Sequence, residues 1–170
     1  MIVLHGAAAL SPFRLDRLNQ ALAAAGLDQR VRAAHWRYYV DPEGGVDADA
    51  LVARLAPILE GRPAARGDTV QAHVVPRLGT ISPWSSKATE ILRGCALPVR
   101  RIERGRSLVL DGPAPAGAQA ARLATLLHDA MTESWLQREP AAADLFQAGA
   151  PRPLVRIDPD ALAQANQGLG

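Results

Sequence analysis

Apolar and polar positions alternate along the chain with two different periods, and the switches between them mark its elements. Ile2 to Leu4 is a short apolar run followed by turn residues, as a strand would be. Ser11-Pro12 then supplies a cap and a helix-compatible first residue, and Leu15, Leu18, Leu22 and Ala25 recur at helical spacing until Gly26. The aromatic run Val31 to Val40 predicts a second strand, ended by Asp41-Pro-Glu-Gly-Gly45. Asp47 or Asp49 caps a second helix that carries Leu51, Val52, Leu55, Ile58 and Leu59, with Pro57 bending or ending it.

Gly61 to Asp68 reads as a polar loop and Thr69 to Val75 as a third strand. A helix follows near Ser85 to Cys95. Strands near Val99 to Glu103 and Ser107 to Asp111 are expected next, joined by a tight Arg104-Gly-Arg106 connection. The helix near Ala118 to Met131 has the clearest periodicity, with Leu123, Leu126, Leu127, Ala130 and Met131 on one face. Beyond Pro140 the pattern decays, leaving a short apolar patch at Leu145-Phe146 and a polar end from Gln164 to Gly170. This order favours an α+β two-layer sandwich, mainly antiparallel, with helices on one face of the sheet. The other face needs solvent or a partner, and Trp36, Tyr38 and Tyr39 on one strand make a partner, including a second copy of the chain, an open option.

Composition narrows the chemistry. At 170 residues, 48% hydrophobic and 21% charged, the chain has the makeup of one globular domain with a tail. A net charge of +2 with dispersed arginines gives no nucleic-acid surface. Cys95 stands alone, so there is neither an internal disulfide nor a multi-cysteine metal site, and a reducing cytoplasm fits. No apolar run reaches the roughly 18 residues of a membrane span. Of 19 basic residues only Lys87 is lysine. An ammonium is a compact point charge and a guanidinium a planar fork, so a lone lysine among arginines either has a task of its own or is a solvated helix residue.

Several site signatures are missing. The chain has no Gly-x-Gly-x-x-Gly turn, no phosphate loop ending in Gly-Lys-Ser/Thr, no His-Glu-x-x-His and no Gly-x-Ser-x-Gly. His5, His35, His73 and His128 are too scattered for a zinc set, while His128-Asp129 with Glu133 is a polar helix face that could bind something. What stands out is the run Pro76-Arg-Leu-Gly-Thr-Ile-Ser-Pro-Trp-Ser-Ser-Lys-Ala-Thr-Glu90-Ile91. Gly79 allows a tight loop, Ser82-Pro83 starts a helix, and Ser85 and Ser86 can satisfy further free amides. A helix start with Arg77, Thr80 and Lys87 around it can receive an anion, which makes a stand-alone phosphate- or anion-binding module one reading. The other is a cap that orders a domain junction, with Trp84 as anchor. A Ser-Ser-Lys amidase is a third, and it requires a buried lysine.

This run closely resembles the N-terminal domain of large-type phosphoribosylformylglycinamidine synthase. The stretch His5 to Arg14, the segment Arg101-Ile-Glu-Arg-Gly105 and the segment Leu127-His-Asp-Ala-Met-Thr-Glu133 support the resemblance, which covers about residues 1 to 150. Glu90 stands where the family usually has Asp. The resemblance implies a domain like a fused pair of the small subunit of multi-subunit synthases, with residues 151–170 starting a partly disordered interdomain linker. It implies a noncatalytic piece of a ligase that makes formylglycinamidine ribonucleotide in purine biosynthesis, using glutamine-derived ammonia. ATP, magnesium and the glutaminase cysteine then belong to synthetase and glutaminase domains downstream, so that Cys95 is not the nucleophile and this stretch holds no cofactor. Arg77, Thr80, Ser82, Ser85, Ser86 and Lys87 become the candidates for contact with substrate or with the neighbouring domain, with no catalytic residue and no metal ligand.

Overall fold

The computed structural model describes residues 1–63 and 71–147. The chain runs β1 (Ile2–Ala8), α1 (Pro12–Ala24), β2 (Val31–Pro42), α2 (Ala48–Ile58), β3 (Arg62–Pro63), β4 (Ala72–Pro76), α3 (Pro83–Gly94), β5 (Val99–Leu110), α4 (Gly117–Leu127), β6 (Glu133–Leu136) and α5 (Ala142–Phe146). The strands form one antiparallel sheet in the order β3-β1-β2-β5-β4-β6. It is the α+β two-layer sandwich that the alternating periods predict.

The order is also symmetric. Each half of the chain runs strand, helix, long strand, helix, short edge strand, and the two long strands meet at the centre of the sheet. Both have 12 residues, and the register pairs Arg37 with Gly105, the seventh residue of each. An internal twofold axis therefore passes through that pair. The helices cross-pack about it. One core cluster joins α1 to α4 through Leu22, Leu123 and Leu127, with Leu27 just beyond α1, and the other joins α2 to α3 through Leu51, Leu55 and Leu92, with Leu97 just beyond α3. Alternation along β2 and β5 feeds both clusters from one sheet face, with Ala34, Tyr38, Val40, Ile102, Leu108 and Leu110 pointing to the helices.

Between the register shifts at the strand ends, odd-numbered positions point the other way, where the short α5 lays Leu145 and Phe146 against Tyr39 and Val75. The reverse face is unusually polar for buried residues. Arg37 is 3% exposed and meets Glu139 through two 3.0 Å bonds and His5 Nδ1 at 2.9 Å. His73 is 4% exposed, with the Tyr39 hydroxyl 3.4 Å from its Nδ1. Trp36 and Tyr38, expected on an open sheet face, instead point into the helical layer, because β2 places even residues there.

Four sequence expectations are corrected. Arg104-Gly-Arg106 is not a turn but the middle of the single strand β5. Glycine is there for contact, since a Cβ on Gly105 would lie 2.8 Å from the Val74 carbonyl oxygen. The last long helix stops at Leu127 rather than Met131. The Asp129 side chain accepts from Met131 N and the Thr132 hydroxyl, which closes a turn and sends Glu133 onward as the start of β6. Within the polar loop of 61–68, Arg62 and Pro63 pair with His5 and Leu4 as an edge strand. The third strand, expected from Thr69, does not include Gln71 and runs from Ala72 as β4, while Thr69 itself lies outside the described residues, as does the linker of 151–170.

Candidate ligand cleft and motif loop

The segment that stands out in the sequence forms the end of β4, a loop and the first turns of α3. Gly79 takes the left-handed backbone conformation, φ +79°, and Thr80 closes the turn by donating from its hydroxyl to the Arg77 carbonyl at 2.6 Å. Ser82 caps α3 by accepting from Ser85 N at 3.0 Å, with Pro83 at the first helical position. The anion expected at this helix start is supplied by the protein itself. Glu103, fully buried on β5, accepts from Ser82 N at 3.2 Å and from the Ser82 hydroxyl at 2.8 Å, and Arg101 holds the same carboxylate at 2.6 Å. Glu103 thereby takes up the Ser82 amide and hydroxyl at this helix start, leaving neither for an outside anion.

Ser85 is also structural. β4 pairs with β5 only over Ala72 to Val74, so the first half of β5 has an open edge, and α3 closes it. The Ser85 hydroxyl donates to the Ile102 carbonyl at 2.6 Å, and Thr89, one turn on, accepts from Ile102 N at 3.2 Å. Ser86 donates back to the Ser82 carbonyl and is exposed. Lys87 is 72% exposed and pairs with Glu90 at 3.2 Å, an i,i+3 surface contact. Neither serine hydroxyl bonds the ammonium, and the lysine is not buried, so the amidase reading fails on geometry. Cys95 is exposed on the first residue after α3.

Arg77, Thr80 and Ser82 do come together, at the wall of a cavity of about 620 Å³ on the helical side of the sheet. Ser85 and Ser86 line a separate, smaller groove of about 340 Å³ with Ile81, Glu90 and Arg101, and Lys87 lines neither. The larger cleft lies at the twofold axis, between the α1/α4 and α2/α3 pairs. Trp36 and Arg104, each sixth in its strand, meet on its floor. The Arg104 guanidinium carbon stands 4.1 Å from the Trp36 ring centre and 4.7 Å from that of Trp84, and burial lowers its pKa from the usual arginine value. It remains charged, since arginine does not deprotonate in proteins. Arg106 beside it is neutralised by Glu133, with both carboxylate oxygens at 2.8 Å. The so-called polar helix face of His128, Asp129 and Glu133 therefore splits up: His128 bonds the Ala124 carbonyl, Asp129 closes the turn and Glu133 serves Arg106.

Sequence reasoning missed Trp36 and Arg104 as partners. One signal was available: Leu10-Ser-Pro-Phe13 and Ile81-Ser-Pro-Trp84 start α1 and α3 alike, and both segments contribute to the cleft. Read as an internal repeat, they announce a duplicated unit and a central axis.

A duplicated β-α-β-α-β sandwich whose motif loop caps α3 and closes the edge of β5 defines the class of the protein, a two-layer α+β domain. Residues 35–146 match the family described as formylglycinamide ribonucleotide amidotransferase N-terminal. The chain belongs to this family, the noncatalytic N-terminal domain of a ligase of purine biosynthesis.

Proposed function

We propose that the domain serves the synthase by packing against its downstream synthetase domain through the outer surface of the motif loop and α3. The supporting observation is what that surface displays. Ile81 is 57% exposed and Ile91 54% exposed, next to the charged Arg77, Lys87 and Glu90, a mixture of apolar and charged groups typical of an interface. In this reading Ser82 and Ser85 hold the loop in shape while Arg77, Thr80, Ser86 and Lys87 face the neighbouring domain near its substrate site.

Glutamine-derived ammonia, ATP and magnesium belong in this reading to the downstream domains, in a cytoplasmic enzyme, and the isolated chain is inactive. Among the described residues no group of three or more His, Cys, Asp or Glu side chains could hold a metal ion, and the sequence has no glycine-rich phosphate loop, so the residues present do not fit magnesium-ATP. Among them, too, no helix is long and apolar enough to cross a membrane.

The test uses the full-length synthase. Lys87→Ala and Ile81→Asp should each lower amidine formation at least about tenfold while glutamine hydrolysis continues, since an interface defect uncouples the domains without touching the glutaminase chemistry. Unchanged steady-state synthesis in both variants sinks the docking surface. Lys87→Arg separates point-charge contact from mere charge, and a fully active arginine variant assigns no geometric role to the ammonium.

A further inference from the structure

We propose that the cleft on the twofold axis binds a small phosphomonoester, with Arg104 as its in-plane anchor and Arg14 and Arg77 as rim cations. The site is distinct from the start of α3, which Glu103 already occupies, and the proposal holds whether or not the motif loop docks on another domain.

Both indole rings lie against the Arg104 guanidinium, and its N–H donors are left to face the cleft. Among the described residues nothing accepts a hydrogen bond from those donors and no carboxylate pairs with them. Arg104 is half-buried, and a cation held against two rings with its fork uncommitted is well prepared for a planar pair of oxygens. Carboxylate and phosphate both present such a pair.

Charge and size choose between them. Arg14 and Arg77 also line the cleft and make no ion pair among the described residues, whereas Arg106 is cancelled by Glu133. Three cations thus stand without a counter-charge around one space, which favours a dianion over a single carboxylate. The hydroxyls of Thr80 and Ser82 are committed as donors to Arg77 O and Glu103, so the free donors are guanidinium groups and suit an acceptor-only ligand. A cavity of about 620 Å³ exceeds what inorganic phosphate fills and lies in the range of small-ligand sites, so an organic part is expected on the phosphate.

Trp36 and Trp84 report on the site directly. The 170-residue chain is titrated with ribose 5-phosphate, and separately with succinate at equal ionic strength, while tryptophan fluorescence is followed. The expected result is a saturable change with ribose 5-phosphate, at least about tenfold tighter than with succinate, and a loss of at least about tenfold in Arg104→Gln. Arg14→Gln combined with Arg77→Gln, both on the exposed rim, should weaken binding by a similar factor with an unchanged circular dichroism spectrum, which keeps the test valid if Arg104→Gln folds poorly. Absence of saturable binding to the native chain, equal affinity for succinate, or native affinity in the rim double variant overturns the proposal.

Discussion

The Ser82 hydroxyl donates to the Glu103 carboxylate at 2.8 Å, while its oxygen accepts from Ser85 N at 3.0 Å, so one serine joins the start of α3 to the central strand β5. Glu103 is fully buried and its charge is balanced by Arg101 at 2.6 Å. Removing one member of such a set leaves a desolvated charge behind. Glu103→Ala should therefore cost about 3 kcal/mol of unfolding free energy. Urea denaturation of both proteins checks it, and a loss below about 1 kcal/mol would show that the loop holds α3 without the carboxylate.

Ser85 and Thr89 make a contrasting pair with Lys87 on the same helix. Ser85→Ala and Thr89→Val each strand one backbone group of Ile102 at the covered edge of β5, at about 1–3 kcal/mol apiece. Lys87→Ala removes only a solvated pair with Glu90 and should shift stability by less than about 0.5 kcal/mol. Thermal melts of the three variants rank them. A Lys87 variant that is as stable as the native chain yet impairs the full-length synthase would separate a contact role from a folding role.

Gly105 tests the packing of the sheet centre. A methyl group there meets the Val74 carbonyl oxygen at 2.8 Å and a Val75 methyl at 3.0 Å, and backbone on a paired strand cannot step aside. Gly105→Ala should destabilise by about 1–3 kcal/mol through overpacking. Equal stability in denaturant titration would mean that β4 and β5 can separate at this point.

His73 predicts an acid dependence. Burial first of all holds its pKa down to about 4 from 6.5, with Glu139 raising and Arg37 lowering it further. The unfolded chain then binds a proton between those values while the native chain does not. Stability is full above about pH 6.5 and falls as the pH drops toward 4, by about 2–3 kcal/mol in total from this group. His73→Gln should remove that slope, and unfolding free energies measured between pH 7 and 4 decide it. An unchanged slope would assign the acid sensitivity to other groups.

Much of the fold was legible in the sequence because the two periods are strong where amphipathic elements are long. Leu15, Leu18 and Leu22 placed α1, and Ser11-Pro12, Asp47 and Ser82-Pro83 marked helix starts where free amides need acceptors. The middle of β5 was misread because Arg104-Gly-Arg106 is locally indistinguishable from a hairpin turn. Only the neighbouring strand gives Gly105 its reason. β3 and β6 were missed because edge strands of two and four residues have too few alternations to signal themselves. The candidate residues were chosen as one run, and folding divided them: Arg77, Thr80 and Ser82 went to the cleft, Ser85 into the sheet edge, Ser86 and Lys87 outward.

By itself the sequence determined the local elements, the caps and the family, since each depends on residues close together along the chain. Tertiary structure alone decided which charges are spent. Glu103 lies 21 residues from Ser82 and ends up beneath its helix, Glu133 lies 27 residues from Arg106 and cancels it, and Arg104 is left between Trp36 and Trp84 with its fork open. Pairing of charges across strands and helices follows from register and packing about the central axis, and no local pattern encodes which cation remains without a partner.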